Sequence, residues 1–468
     1  FAILASCNAQ EVMDMATIAE MATLEGRVPV LHFFDGFRTS HEISKVEPVT
    51  QAQLQQLIDP GLVRACRDRA LSPEHPFIRG TSQNPDLFFQ SREAGNPYYD
   101  AFPTIVQNAM DRFAAITGRQ YSLYEYTGAE NAERVIVVMG SASQTVMETV
   151  EHLQSEGEKV GLLNVRLFRP LASEQLLQRL PESVRAIAVL DRTKEPGADG
   201  EPLFKDMATA VFNACSEGRW PGSGLPTILG GRFGLSSKEF TPGMVKAIFD
   251  RLDRPAGKRQ FTIGIEDDVT RLSLAWDDRF RTRASARQIQ AIFYGLGADG
   301  TVSANKNSIR IIGAVPGRYA QGHFVYDSKK SGAVTVSHLR FGPEPIRSAY
   351  EIQADQADFV GCHQPVFLTR YPMLNKAKAG ATVLINTPLA GEAFWQSLPQ
   401  PVQQQMIDKQ LKVWLIDAYR VAADVGLGKR INTIMQTCFF ALTDILPRDQ
   451  AIEEVKAAVE STYGTRSA

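Results

Sequence analysis

No two of the five cysteines lie near each other: Cys7, Cys66, Cys215, Cys362 and Cys438 are odd in number and far apart. That spacing argues against a disulfide framework and favours a reducing, cytoplasmic setting. There is no CxxC pair, which excludes a local iron–sulfur site or zinc ribbon. No apolar run approaches the roughly 18–20 residues that cross a bilayer. Excess charge is lacking too. With 50 Lys and Arg against 52 Asp and Glu the net charge is −2, so no basic field gathers nucleic acid or anionic membrane. Internal repeats and low-complexity tracts are missing. What remains is 44% hydrophobic and 22% charged, the composition of ordinary globular protein. At 468 residues the chain exceeds one ordinary core, and two or three domains are expected.

The alternation of strands and helices predicts an α/β fold of three consecutive units, with mostly parallel sheets covered by helices. The first unit, 1–119, opens on FAILAS, which already reads as a buried strand. With Phe rather than Met at its start, the chain is expected to begin inside a domain. Asn8-Ala9-Gln10-Glu11 starts a helix whose stripe is Val12, Met15, Ile18, Met21 and Leu24. VPVLHFF (28–34) is a second strand, with His32 read as a satisfied core histidine. It runs into DGFRTSHE (35–42), a polar loop at a strand's C-terminal end, where open α/β sheets place ligands. The plainer reading of that loop is a hydrogen-bonded contact between domains. Residues 71–100 show little periodicity and read as an ordered excursion over a neighbouring surface. Pro103 is expected to open the helix that ends near Thr117.

The second unit, 120–255, carries strands at 134–140, 160–168 and 185–191. Ser141 and Ser143 are candidate helix caps. Gly140-Ser-Ala-Ser is also a candidate phosphate seat, though a cap explains it as well. Asp191-Arg192-Thr193-Lys194-Glu195 reads as a solvated or interface loop. Residues 256–286 are dense in charge and read as a linker with one short strand, 261–265. The last unit is 287–468.

The chemistry concentrates in AIFYGLGADGTVSANKNSIRIIG (291–313). A short apolar strand meets Gly295, Gly297 and Gly300, then Thr301 and a segment with helical spacing. That order points free backbone N–H groups at an anion. Gly295-x-Gly297-x-x-Gly300 also satisfies the dinucleotide fingerprint. The deciding position is the end of the following strand, 323–326, where NAD sites place an acid for the ribose hydroxyls. Asp327 is there, but Lys329 and Lys330 follow at once and favour a phosphate on the ribose. That leaves NADP and coenzyme A open. Asp299 is expected to pair with a neighbouring basic group, making the loop less repulsive to phosphate. A third strand-end loop, 426–429, brings glycine and base just before Asn432, whose amide can bond adenine or pantetheine.

These residues carry a resemblance. YGLGADGTVSANKNSIRIIG, YDSKKSGAVTVSHLRFG and DVGLGKRINTIMQT resemble the coenzyme A-binding domain of the pyruvate:ferredoxin (flavodoxin) oxidoreductases. HFFDGFRTSHEISKVE, RGTSQNPDLFFQSREAGNPYY and IAVLDRTKEPGADGEPLF are similar to the first two domains of that family. The resemblance runs from end to end. It implies that 1–119 is the C-terminal part of a pyrimidine-type domain of a thiamine diphosphate enzyme. In the same way, 120–255 is implied to be a transketolase C-terminal-like domain and 287–468 a gamma-type coenzyme A-binding domain.

The family decarboxylates pyruvate on thiamine diphosphate with magnesium. Electrons pass singly through [4Fe–4S] clusters to ferredoxin or flavodoxin, and the acetyl group goes to coenzyme A. Family members are typically dimers. The implied coenzyme A contacts are Gly297, Ala298, Asp299, Gly300, Thr301, Lys329 and Asn432. The pyruvate-contacting Thr and Arg and the Glu that activates thiamine are implied to precede Phe1, and the cluster cysteines to follow Ala468. So no catalytic residue and no metal ligand is assigned, and the chain alone is expected to be inactive. The competing expectations are a noncatalytic docking module and an NADP-binding reductase domain.

Overall fold

The computed structural model describes residues 1–76, 82–254, 257–267, 269–297, 299–326, 333–428, 430–443 and 445–463. They form two compact units: Phe1–Asp35 with Val46–Trp276, and Gly36–Lys45 with Asp277–Ala468.

The first unit holds two sheets. Ala2–Ala5 lies between Val30–Phe33, parallel to it, and Leu167–Arg169, antiparallel. The helix Ala9–Gly26 follows as its sequence predicts. The Asn8 side chain accepts the Glu11 N–H at 2.9 Å, a standard N-cap, and Met15, Ile18 and Met21 are buried. Gly26 is required at its end, because a Cβ there would lie 2.6 Å from the Phe102 ring. His32 is only partly buried and is satisfied by the Ser6 hydroxyl at 2.7 Å.

One helical expectation needs correction. Pro103 lies inside the helix Asn96–Thr117 rather than at its start. The N-terminal proline is Pro97, where a missing N–H costs nothing, and burial of Phe102 and Val106 holds the turn around Pro103. The stretch 71–100, read as an ordered excursion, contains the helix Pro85–Glu93 with no buried residue; its lack of periodicity follows from its lack of a core face.

The second sheet has six strands in the order Gln260–Thr262, Thr227–Arg232, Ala186–Asp191, Arg134–Val138, Val160–Val165, Tyr124–Gly128. All neighbours are parallel except the last edge strand. Its central strands are buried on both faces, which is why they read as unbroken apolar runs.

The second unit is a seven-stranded mixed sheet: Lys412–Ile416, Ala377–Asn386, Ala357–Cys362, Ile289–Leu296, Val334–Gly342, Tyr319–Tyr326, Glu42–Ser44. The first four strands are parallel; the joins from Ile289–Leu296 onward are antiparallel. One face packs Phe293, Leu339, Phe341 and Phe359 against Ile309 and Ile312 of Thr301–Ala314 and Phe439 of Asn432–Leu442. The other packs Ile292, Val360 and Val383 against Phe367, Phe394 and Met406.

DGFRTSHE supplies the edge of this sheet. Ile43 pairs with Gly322, His41 Nδ1 donates to the Phe324 carbonyl at 3.0 Å, and Arg38 and Thr39 are buried. Within this unit the loop is structural, hydrogen-bonded along the sheet edge.

Candidate functional site

The strand Ile289–Leu296 runs through the middle of its sheet and releases the glycine loop at its C-terminal end. Gly295 is dictated by packing, since a Cβ would sit 2.2 Å from Thr301 Oγ1. Gly300 caps the helix Thr301–Ala314 with φ of 81°, a left-handed conformation that glycine adopts without cost. A side chain there would also meet the Asn432 amide at 2.9 Å. Gly297 faces open space, with nothing within 4 Å of a Cβ.

Of the seven expected contacts, the structure brings Asp299, Gly300, Thr301 and Asn432 together, with Gly297 on the open side of the same loop. Asn432 is the first residue of its helix and is 7% exposed. Ala298 and Lys329 lie outside the described residues, as do Asp327 and Lys330. The turns at Gly426 and Gly428, with φ of 76° and 62°, deliver the chain to Asn432.

The dinucleotide fingerprint fails on topology. In that motif the strand after the helix lies beside the first. Here Tyr319–Tyr326 is separated from Ile289–Leu296 by Val334–Gly342, antiparallel to both. A hairpin strand has been inserted where a second parallel neighbour would lie.

Asp299, expected to pair with a neighbouring basic group, is bonded by donors of its own loop. Asp299 Oδ2 accepts the Leu296 N–H at 2.8 Å. Its Oδ1 accepts the Thr301 N–H at 2.9 Å and the Thr301 hydroxyl at 2.5 Å. Among the described residues the nearest ionisable base is His363, with Nδ1 3.8 Å from the carboxylate. Burial pulls the His363 pKa down to about 4 against the opposing pull of Asp299, so at neutral pH it brings no charge.

His363 is the site residue that sequence reasoning missed. It follows the strand Ala357–Cys362, is 2% exposed, and places Nδ1 2.6 Å from Thr301 Oγ1. Its N–H donates to the Tyr294 carbonyl and its carbonyl accepts from Asn386 Nδ2 at 3.1 Å. The signal in FVGCHQP was a polar residue closing an apolar strand. Nothing local said that this strand neighbours the one bearing the glycine loop.

The other anion candidate, Gly140-Ser-Ala-Ser, is occupied from within. Asp35 takes the Ser141 N–H at 2.6 Å and lies 3.5 Å from the Arg192 guanidinium. The expected serine caps are not made. Ser141 makes no side-chain cap, and the Ser143 hydroxyl donates to the Gly140 carbonyl. Asp191 is likewise structural, accepting the N–H groups of Leu203 and Phe204 at 3.0 and 3.1 Å.

Three family models match consecutive parts of the chain: a pyruvate flavodoxin/ferredoxin oxidoreductase thiamine diphosphate-binding model over residues 1–111, a pyruvate:ferredoxin oxidoreductase core domain II model over 132–220, and a pyruvate ferredoxin/flavodoxin oxidoreductase model over 290–468. The chain is 57% identical over 467 residues to a pyruvate-flavodoxin oxidoreductase of Rhodospirillum rubrum, and 56% identical over 471 residues to one of Nostoc. It is 51% identical over 466 residues to a pyruvate:ferredoxin oxidoreductase of Moorella thermoacetica. Each alignment covers 100% of this chain and 39% of the relative. The chain therefore belongs to the pyruvate:ferredoxin/flavodoxin oxidoreductase family and corresponds to a segment of its members.

Proposed function

We propose that this chain is the part of a pyruvate:ferredoxin/flavodoxin oxidoreductase that supplies the coenzyme A seat. The carrying observation is the convergence of the glycine loop, the N-terminus of Thr301–Ala314 and the Asn432 amide. Those groups fit a phosphate-bearing ligand: backbone N–H donors and a helix dipole for the anion, an amide for its polar body, and open space at Gly297 for approach. Gly297, Ala298, Asp299, Gly300, Thr301, Lys329 and Asn432 form the proposed contact set, with Lys329 pairing phosphate charge. In the whole enzyme, pyruvate and coenzyme A give acetyl-CoA and CO2, and two electrons leave one at a time for ferredoxin or flavodoxin.

Thiamine diphosphate with magnesium would supply the carbanion chemistry and [4Fe–4S] clusters the electron path. Among the described residues no three His, Cys, Asp or Glu side chains converge as a metal set. A cytoplasmic homodimer is part of the same proposal. Among the described residues no helix is long and apolar enough to cross a membrane.

Calorimetric titration with coenzyme A tests the reading. Heat of binding is expected, weakened by Lys329→Ala, with no competition from NADPH. Absence of heat, or displacement by NADPH, would overturn it.

A further inference from the structure

Asp299 turns its carboxylate onto the donors of its own glycine loop. Three donors converge on its carboxylate: the N–H of Leu296, the N–H of Thr301 and the Thr301 hydroxyl. The hydroxyl has one proton and gives it to the carboxylate. Its 2.6 Å contact with His363 Nδ1 then requires the Thr301 oxygen to accept, so the imidazole carries its proton on Nδ1. His363 is fixed in turn by the Tyr294 and Asn386 bonds and by the Phe293 ring, edge-on at 6.5 Å. Its Nε2 is buried and has no hydrogen-bond partner among the described residues. A rigid chain of donors thus runs from the strand end to the carboxylate.

The contrast with Asp35 is informative. That carboxylate also occupies a helix N-terminus, but the Arg192 cation stands beside it. Among the described residues Asp299 has no cation against it, only neutral donors. Among the described residues it is held by the groups that would hold a bound anion.

We propose that Asp299 is a built-in competitor for the phosphate of the ligand. The loop is closed by its own carboxylate, and a phosphate binds by displacing it and inheriting the N–H groups of Leu296 and Thr301. Thr301, steadied by His363, then turns its hydroxyl proton to the ligand. The proposal rests on the coenzyme A reading for the ligand's identity. It departs from that reading in giving Asp299 an opposing role rather than an attractive one. Its consequence is a seat of deliberately limited affinity, suited to a carrier that must leave after acylation.

The experiment uses the 468-residue chain as wild type, Asp299→Asn and Asp299→Ala, with thermal unfolding to confirm that each variant is folded. Coenzyme A, inorganic pyrophosphate and pantetheine are titrated separately. Both variants are expected to bind coenzyme A and pyrophosphate about five- to tenfold more tightly, because a like charge has left the helix N-terminus. Pantetheine binding should not change. Unchanged or weaker binding of coenzyme A and pyrophosphate by the folded variants overturns the competition. If wild type binds coenzyme A and the variants gain nothing, the coenzyme A reading stands and this one falls. If no form binds coenzyme A but the variants gain pyrophosphate, the competition stands and the coenzyme A reading falls. Silence in every titration removes both.

Discussion

At the scale of single residues, the site is set by what glycine permits and what its neighbours then fill. Gly300 combines φ of 81° with an Asn432 amide 2.9 Å from where a Cβ would stand. Gly300→Ala should lower stability by about 1–2 kcal/mol, from left-handed strain plus displacement of the amide; a urea melt reads it. Asn432→Ala should leave stability nearly unchanged yet weaken coenzyme A about tenfold, the worth of one well-placed hydrogen bond. Equal affinities by calorimetry would remove Asn432 from the contact set. The glycines, Thr301 and Asn432 were legible as types at suggestive spacing. His363 was not, because its role comes from a neighbouring strand 62 residues away.

At the scale of elements, buried charge is used to join pieces. Arg166 binds Glu11 at 2.7 Å and Glu125 at 2.5 Å, tying the helix Ala9–Gly26 to the six-stranded sheet. Glu11 is almost wholly buried, and although desolvation works against it, Arg166 holds its pKa below the usual carboxylate range. Arg166→Met should cost about 3–5 kcal/mol, since it strands a buried carboxylate; restoration by Glu11→Gln in the same chain would identify the cause.

The edge strap shows the same logic in histidine form. His323 is pulled down to about 3 by burial, aided by Arg38, Arg340 and His41, and His338 moves in the same direction. Unfolded, a histidine takes its proton near pH 6.5, so the unfolded chain binds more protons between about pH 3 and 6.5. The contribution of His323 is therefore fully present above pH 6.5 and is lost as pH falls, on the order of 5 kcal/mol across the window. Chemical denaturation at pH 7 and pH 5 should show this slope in the second unit, and His323→Gln should flatten it. The alternation in VTVSHLRF made the strand legible. That Glu42–Ser44 closes its sheet was not legible, since three residues far upstream carry no pairing signal.

At the scale of the whole molecule, each unit owns a core. The first is built on residues such as Met110, Val135 and Val189, the second on Phe293, Phe359 and Phe439. Calorimetric unfolding should accordingly show two transitions, with coenzyme A raising only the one assigned to the second unit, as binding linkage requires. The chain spans 39% of the length of the curated relatives it matches. Incubated with pyruvate, thiamine diphosphate and coenzyme A, it is expected to make no acetyl-CoA.

The sequence by itself determined what is local. Apolar runs of strand length dictate the buried parallel strands, glycine spacing dictates the turn after Leu296, and long specific motifs carry the family. Tertiary structure decided the rest, because pairing is not written in any one segment. Only the fold places Val334–Gly342 between two strands that looked like neighbours, which removes the dinucleotide reading. Only the fold brings His363 to Thr301 and turns the Asp299 carboxylate back onto the loop's own N–H groups. Buried donors must find acceptors, and here the chain supplies one from within.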